Sequence, residues 1–244
     1  MLKKSGWFYK TAIQTLHYMY FVTTMEARII SRFLELKEGD KVCDIACGSG
    51  QQGIKMAKQG CEVYGIDLNA GAIETAKSIA KGYDCDFQVG NAEKLPYDSN
   101  IFDKVVSVCS LEHFKNDEKA LEEMNRVLKP SGILVLTVDS FTYKGIKKHL
   151  QEKHRTDCNV VNYYSVSQLT QKLEKYGFKV LKSKYFINSP ISSFFFTLSI
   201  RIGGGYVFFS AIFPITYSLS LFSDLFFGRR NEGYILAIKA QKVE

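Results

Sequence analysis

The chain has 244 residues and a mass of 27.7 kDa, with 46% apolar and 23% charged residues and a formal net charge of +7. This is globular composition with ample material for a core, and the length fits one domain or one domain with an elaboration. Residues 41–140 carry 11 basic and 15 acidic side chains, whereas residues 141–185 carry 10 and 3. A basic patch beside an apolar C-terminal region suits an anionic membrane surface or a phosphorylated substrate, and no nucleic acid is expected. The cysteines (Cys43, Cys47, Cys61, Cys85, Cys109, Cys158) are scattered without a C-x-x-C pair, which argues against zinc. Most fall on expected buried strands, where a free thiol behaves as a small hydrophobe, so a reducing, cytoplasmic compartment is expected. Lys3 and Lys4 precede no signal-peptide core, because Lys10 and His17 interrupt the run that follows.

In chain order, residues 7–36 read as two helices, the first aromatic (Trp7, Phe8, Tyr9), the second with an apolar face of Ile29, Ile30, Phe33, Leu34 and Leu36. Strands are expected at about 41–45, 62–66, 85–89, 103–108 and 132–138, separated by helices at about 51–59, 69–81 and 117–128. This alternation predicts a parallel sheet covered on both faces. A helix over 167–176 stops at Gly177, strand 178–186 follows, and 233–241 is a last alternating strand. The basic run from Lys144 to Arg155 holds His149 and His154 and reads as a solvated face or as a clamp for an acceptor headgroup. His17, among N-terminal aromatics, reads as a packed helix residue or as lining for a substrate entrance.

Residues 190–230 break the pattern. They hold half of the 18 phenylalanines, and Ile202 to Ser223 is uncharged for 22 residues. That length suits a membrane span, but both flanking strands belong to one sheet, and Gly203–Gly205 and Pro214 interrupt a straight helix. A broken helix pair lying in a bilayer interface is the expectation, with Ile191, Phe194, Phe195, Leu198 and Ile202 on one face. Ile215, Leu219, Phe222 and Phe226 form another, with serines opposite and Arg201, Arg229 and Arg230 for headgroups. The alternative is a cap on the protein's own core or a dimer interface; the oligomeric state is left open.

Val42-Cys43-Asp44-Ile45-Ala46-Cys47-Gly48-Ser49-Gly50 carries the most information. It reads as a buried strand ending in an acid and entering a small-residue loop, and Asp67 closes the next strand. Two carboxylates beside a glycine turn suit a ligand with a charged amino-acid end and a ribose. Gly48 to Gly53 also forms G-x-G-x-x-G, a dinucleotide pattern, but Asp44 aimed into that loop would repel a pyrophosphate and attract an ammonium group.

Together with Gly90-Asn91-Ala92-Glu93, Phe102-Asp103-Lys104-Val105 and Leu128-Lys129-Pro130-Ser131-Gly132, these motifs resemble the class I S-adenosylmethionine (SAM) methyltransferases. The likeness is to the group that includes ubiquinone, menaquinone and sterol methyltransferases. The resemblance implies an α/β, Rossmann-like, doubly wound sheet of seven strands, the last antiparallel, with N-terminal helices and an apolar helical insert before the last strand. The expected division is a helical cap over 1–36, a SAM-binding domain over 37–189 and 231–244, and the insert over 190–230.

By resemblance, Asp44, Ala46, Gly48 and Gly50 frame the methionine end of SAM, Asp67 holds the ribose, and Leu68, Asn91 and Ala92 serve the adenine. Ala46 stands where the family usually has glycine, a change tolerated if its φ is negative. Gly53 is read as a helix-packing glycine. His113 is the candidate general base, with floor of the cofactor site as its other reading, and Glu112 orients it or favours the sulfonium. Some quinone O-methyltransferases carry another acid three residues before this Glu and use a metal; Cys109 stands there, so no metal is expected. The expected activity is methyl transfer to a lipophilic or lipid-linked small molecule at a membrane's inner face. Its rivals are a soluble acceptor, with the insert as cap or dimer interface, and a non-catalytic SAM-binding module.

Overall fold

The computed structural model describes residues 21–202 and 212–243. Contacts group the chain into two compact units. One holds Ile30–Asp139, Val161–Lys184 and Leu236–Glu244; the other holds Met1–Ile29, Ser140–Val160 and Tyr185–Ile235. In chain order the elements begin α1 (Phe21–Leu34), β1 (Lys41–Ile45), α2 (Gln51–Ala57), β2 (Glu62–Asp67), α3 (Ala70–Ile79), β3 (Cys85–Val89) and β4 (Phe102–Val108). They continue α4 (Asp117–Val127), β5 (Leu128–Asp139), α5 (Lys148–Cys158), α6 (Val166–Lys175), β6 (Phe178–Phe186), α7 (Pro190–Arg201), α8 (Phe213–Phe227) and β7 (Ile235–Lys242). The first of the two expected N-terminal helices, His17 included, lies outside the described residues.

The strands form one sheet in the order β3-β2-β1-β4-β5-β7-β6; its seven strands, with β7 antiparallel, are those the resemblance implies. β1 is buried on both faces, and Val42, Cys43 and Ile45 have no exposed surface, as a central parallel strand requires. It pairs in parallel with β2 on one side (Val42 opposite Val63) and β4 on the other (Val42 opposite Lys104). The order of connection therefore reverses at β1, which opens a crevice at the C-terminal strand ends. Local sequence supports these elements: Asn69 caps α3 by accepting the Ala72 N–H at 3.1 Å, and Ser165 with Gln168 forms a capping box on α6.

β5 starts four residues before the expected strand. Phe102 pairs with Leu128 but Lys104 pairs with Ile133, so β5 carries an irregularity there, with Pro130 and a left-handed Ser131 (φ 62°) inside it. Turn residues hid this extension from a periodicity reading. The C-terminus of α1 is held by Lys104, whose ammonium donates to the carbonyls of Leu34 and Glu35, both at 2.6 Å, and pairs with Asp40 at 3.1 Å. One buried cation thus satisfies carbonyls that the helix end leaves open.

In the other unit the run Lys144 to Arg155, expected as solvated surface or a headgroup clamp, contributes α5. His149 is exposed, whereas the His154 ring lies 4.4 Å from that of Phe141, and Phe196 packs 4.9 Å from Tyr234. α7 and α8 pack against each other. Asp224 on α8 caps the start of α7: its carboxylate accepts the Ile187 N–H and the Ser189 hydroxyl, both at 2.7 Å, and the Ser192 hydroxyl. No described helix is long and apolar enough to cross a membrane.

Lys104→Met should lower the unfolding free energy by about 3 kcal/mol, because it strands Asp40 and two carbonyls without their buried partner. Urea denaturation with an unchanged m-value checks this.

Candidate active site

Asp44 stands in the buried run of β1, 2% exposed, and its Oδ2 has no hydrogen-bond partner among the described residues. Burial pushes its carboxyl up to about 7, the nearby Asp67 charge adds to the rise, and the Gly53 amide opposes it. The loop that follows turns through three left-handed residues, Ala46 (φ 58°), Gly48 (φ 53°) and Gly50 (φ 75°). The condition of a negative φ at Ala46 is not met: the turn takes the left-handed region there, and alanine bears the steric cost. The glycines differ in what they permit. A Cβ on Gly48 would meet no atom within 4 Å, whereas one on Gly50 would sit 2.8 Å from Phe87 Cζ and from Ala76 Cβ. At Gly53 a Cβ would also sit 2.9 Å from Phe87 Cζ, so this glycine serves packing.

β2 delivers Asp67 to the same place. Its Oδ2 accepts the Gly48 N–H and its Oδ1 the Asn69 N–H, both at 2.8 Å, so the carboxylate is oriented while each oxygen keeps a lone pair to offer. Leu68 follows with 71% of its surface exposed. After β3, Asn91 turns the chain: its Oδ1 accepts the Glu93 N–H at 2.9 Å and its carbonyl the Lys94 N–H at 3.0 Å. Ala92 is buried behind it. A cleft of about 470 Å³ gathers Ala46, Asp67, Leu68, Asn91, Ala92 and His113. Asp44, Gly48, Gly50 and Glu112 lie outside its lining. The sequence reading missed Phe114 and Lys115 among the lining residues; adjacency to His113 was the available signal.

His113 ends a single 3-10 turn, Leu111–His113, after β4, and its backbone N–H donates to Ser110 at 2.9 Å. Beneath it, the Ser107 hydroxyl donates to the Ile45 carbonyl at 2.9 Å, tying the end of β4 to β1. Glu112 is fully buried, and its Oε1 accepts the Asp139 N–H at 3.1 Å. Its carbonyl accepts the Val161 and Asn162 N–H groups at 2.8 and 3.1 Å. Glu112 therefore braces the ends of β4 and β5. Cys109, Glu112 and Asp139 also bring a sulfur and two carboxylate oxygens within 4.8 Å of one another. The sequence argument against a metal weighed Cys109 and Glu112 but not Asp139, which is 27 residues from Glu112 and reaches it only through the strand pairing.

Ala46→Gly relieves the left-handed strain, of about 1–2 kcal/mol, and returns part of it as unfolded-chain entropy. The variant should be more stable by about 0.5–1 kcal/mol, seen as a higher urea midpoint.

Residues 36–183 match the family described as a methyltransferase domain. An uncharacterized protein of Methanocaldococcus jannaschii is 28% identical over 78% of this chain and 82% of its own length. Demethylmenaquinone methyltransferase of Paenarthrobacter aurescens is 37% identical over 45% of this chain and 42% of its own. The ubiquinone/menaquinone biosynthesis C-methyltransferase of Neisseria meningitidis is 35% identical over 46% and 48%. The chain thus spans less than half the length of these two relatives with assigned activities. Among solved structures, geranyl diphosphate methyltransferase in complex with GPP and sinefungin superposes with a TM-score of 0.67 at 16% identity, covering 91% of this chain and 78% of that one. A phosphoethanolamine N-methyltransferase of Haemonchus contortus in complex with SAM has a TM-score of 0.66 at 18% identity, covering 91% and 53%. The matched span exceeds half of the sequence and coincides with the strands that build the cleft: the chain belongs to the methyltransferase-domain family, with the class I fold whose cofactor is S-adenosyl-L-methionine.

Proposed function

We propose that the chain transfers the methyl group of SAM to a lipophilic or lipid-linked small molecule at the inner face of a membrane. The observation that carries this reading is the cleft joining Asp67, Leu68, Asn91 and Ala92 to His113 at the C-terminal strand ends. The residues fit the donor. Asp44 offers a buried carboxylate oxygen without a partner to the cationic amino-acid end, beside the open side of Gly48. Asp67 offers its remaining lone pairs to the ribose hydroxyls, exposed Leu68 offers an apolar face to adenine, and Asn91 stands at the adenine edge. Relatives named for demethylmenaquinone methylation and for ubiquinone/menaquinone biosynthesis support a lipophilic acceptor.

The reaction is an in-line displacement. A lone pair or carbanion of the acceptor forms the bond to the methyl carbon, the carbon–sulfur bond breaks, and its electron pair stays on sulfur. His113 takes the acceptor's proton where one must leave, while Glu112 positions it through the brace between β4 and β5. No metal is assigned at Cys109, Glu112 and Asp139, because Cys109 stands where the metal-using quinone O-methyltransferases carry an acid.

Asp44 gives this reading a pH signature. Its folded carboxyl titrates at about 7 against an ordinary 3.8, so the apo fold is favoured at low pH and that contribution is lost as pH rises from about 4 through 7. A bound ammonium and sulfonium favour the ionised form, so binding should release close to one proton per site at pH 6, and affinity should rise with pH to a plateau above about 7. Calorimetry in two buffers of different ionisation enthalpy measures the proton; Asp44→Asn should abolish its release.

The direct test incubates the full chain with radiolabelled SAM and lipid extract and identifies the product by mass spectrometry. Asp67→Ala should weaken SAM binding by about 2 kcal/mol. His113→Ala should cut turnover about a hundredfold with SAM affinity nearly intact. If SAM affinity falls and turnover survives, His113 is a floor residue under the cofactor.

A further inference from the structure

Helices α7 and α8 bury hydroxyls while exposing much of their apolar surface. Ser192, Ser193 and Ser199 of α7 and Thr216, Ser220 and Ser223 of α8 are all buried, Ser192 bonding Asp224 across the seam, and α7 buries Phe196 and Ile200 as well. Outward point Ile191 and Phe194 of α7 and Ile215, Leu219, Phe222 and Phe226 of α8, with Phe194, Ile215, Phe222 and Phe226 each more than half exposed. A helix pair folded against water buries its apolar stripe and turns its hydroxyls outward. The arrangement here is the one expected where the surroundings are themselves apolar. Small hydroxyl residues let two helices approach, and nothing is gained by hiding phenylalanine between them.

We infer that the outer face of α7 and α8 docks on a phospholipid bilayer, lying along the interface of one leaflet. Helices of 12 and 15 residues are about 18 and 22 Å long, too short for a hydrocarbon core of about 30 Å. The same unit carries exposed Lys147, Lys148, Arg201 and Arg230, which complement acidic headgroups. Lipid also asks nothing of side-chain shape, which separates it from a protein partner. The inference deepens the membrane part of the proposed function and rests on that part alone; it is independent of which acceptor is methylated.

The test is flotation of the full chain with vesicles of phosphatidylcholine, with and without phosphatidylglycerol, alongside thermal melting and light scattering. The wild type should float, more strongly on the anionic vesicles and less in high salt. Phe222→Ser with Phe226→Ser should weaken partitioning about a hundredfold at an unchanged melting temperature. Phe222→Leu with Phe226→Leu should still float, within a few-fold of wild type. The inference is overturned if the wild type floats with neither vesicle, or if the folded leucine variant is lost as completely as the serine one. It is equally overturned if the serine variant melts far lower or turns a dimer into monomers, which would make the face a core or a contact with a second copy. Methylation of a lipophilic acceptor in detergent without flotation sinks this inference and leaves the acceptor reading standing. Flotation with methylation of water-soluble acceptors alone does the reverse.

Discussion

The cofactor loop rests on a single aromatic ring. Phe87 of β3 is 1% exposed, and its ring fills the space that side chains would need at three separate positions. A Cβ would come within 2.8 Å of it at Gly50, 2.9 Å at Gly53 and 2.2 Å at Gly65. These glycines come from the loop after β1, the first turn of α2 and the middle of β2, so one ring sets the spacing between three elements. Substituting any of them would push the loop away from the strand ends. Gly48 is different in kind: its open side is where a ligand can approach the backbone. Glycines that look alike in a motif thus divide into those fixed by packing and one whose side is open.

Once seated, the loop brings two carboxylates into one neighbourhood, and the fold treats them differently. Asp67 receives a backbone N–H on each oxygen, so its charge is supported without a ligand. Asp44 sits in the sheet with one oxygen unpartnered, and burial together with Asp67 favours its neutral form. Desolvation dominates over the like charge, since Asp44 has almost no contact with solvent. The strand that gives Asp44 its position also denies it water, and under the proposed function a cationic ligand would resolve the conflict. This is a local cost of the kind that binding sites carry and stability alone would remove.

Much of this was legible in the residues. Strand and helix alternation gave the sheet, and four motifs in order gave its family, because apolar runs and glycine turns are local properties. What escaped depends on tertiary contact. The sign of φ at Ala46 follows from the turn between β1 and α2, not from alanine's own preference. The early start of β5 is masked by Pro130 and Ser131, which read as a turn but sit inside a strand irregularity. His154 lies in a basic run that reads as surface, yet its ring meets Phe141, a contact that only the fold of residues 140–160 creates. Asp139 joins Glu112 through strand pairing, with no spacing to announce it.

The insert shows the limit of periodicity most clearly. The spacing of Ile215, Leu219, Phe222 and Phe226 says that they share a face, and Thr216, Ser220 and Ser223 that another face is polar. It cannot say which of the two is inside, because a 3.6-residue period is unchanged by turning the helix over. That choice is made by what the helices pack against and by the medium around them. Asp224 decides it here: a carboxylate on the polar face, taking donors from the chain entering α7 and from Ser189 and Ser192, fixes that face toward the partner helix. With the polar faces locked together, Phe194, Phe222 and Phe226 are left on the outside. The apolar surface follows from that buried polar lock, so the feature that most distinguishes this chain originates in one aspartate and the hydroxyls around it.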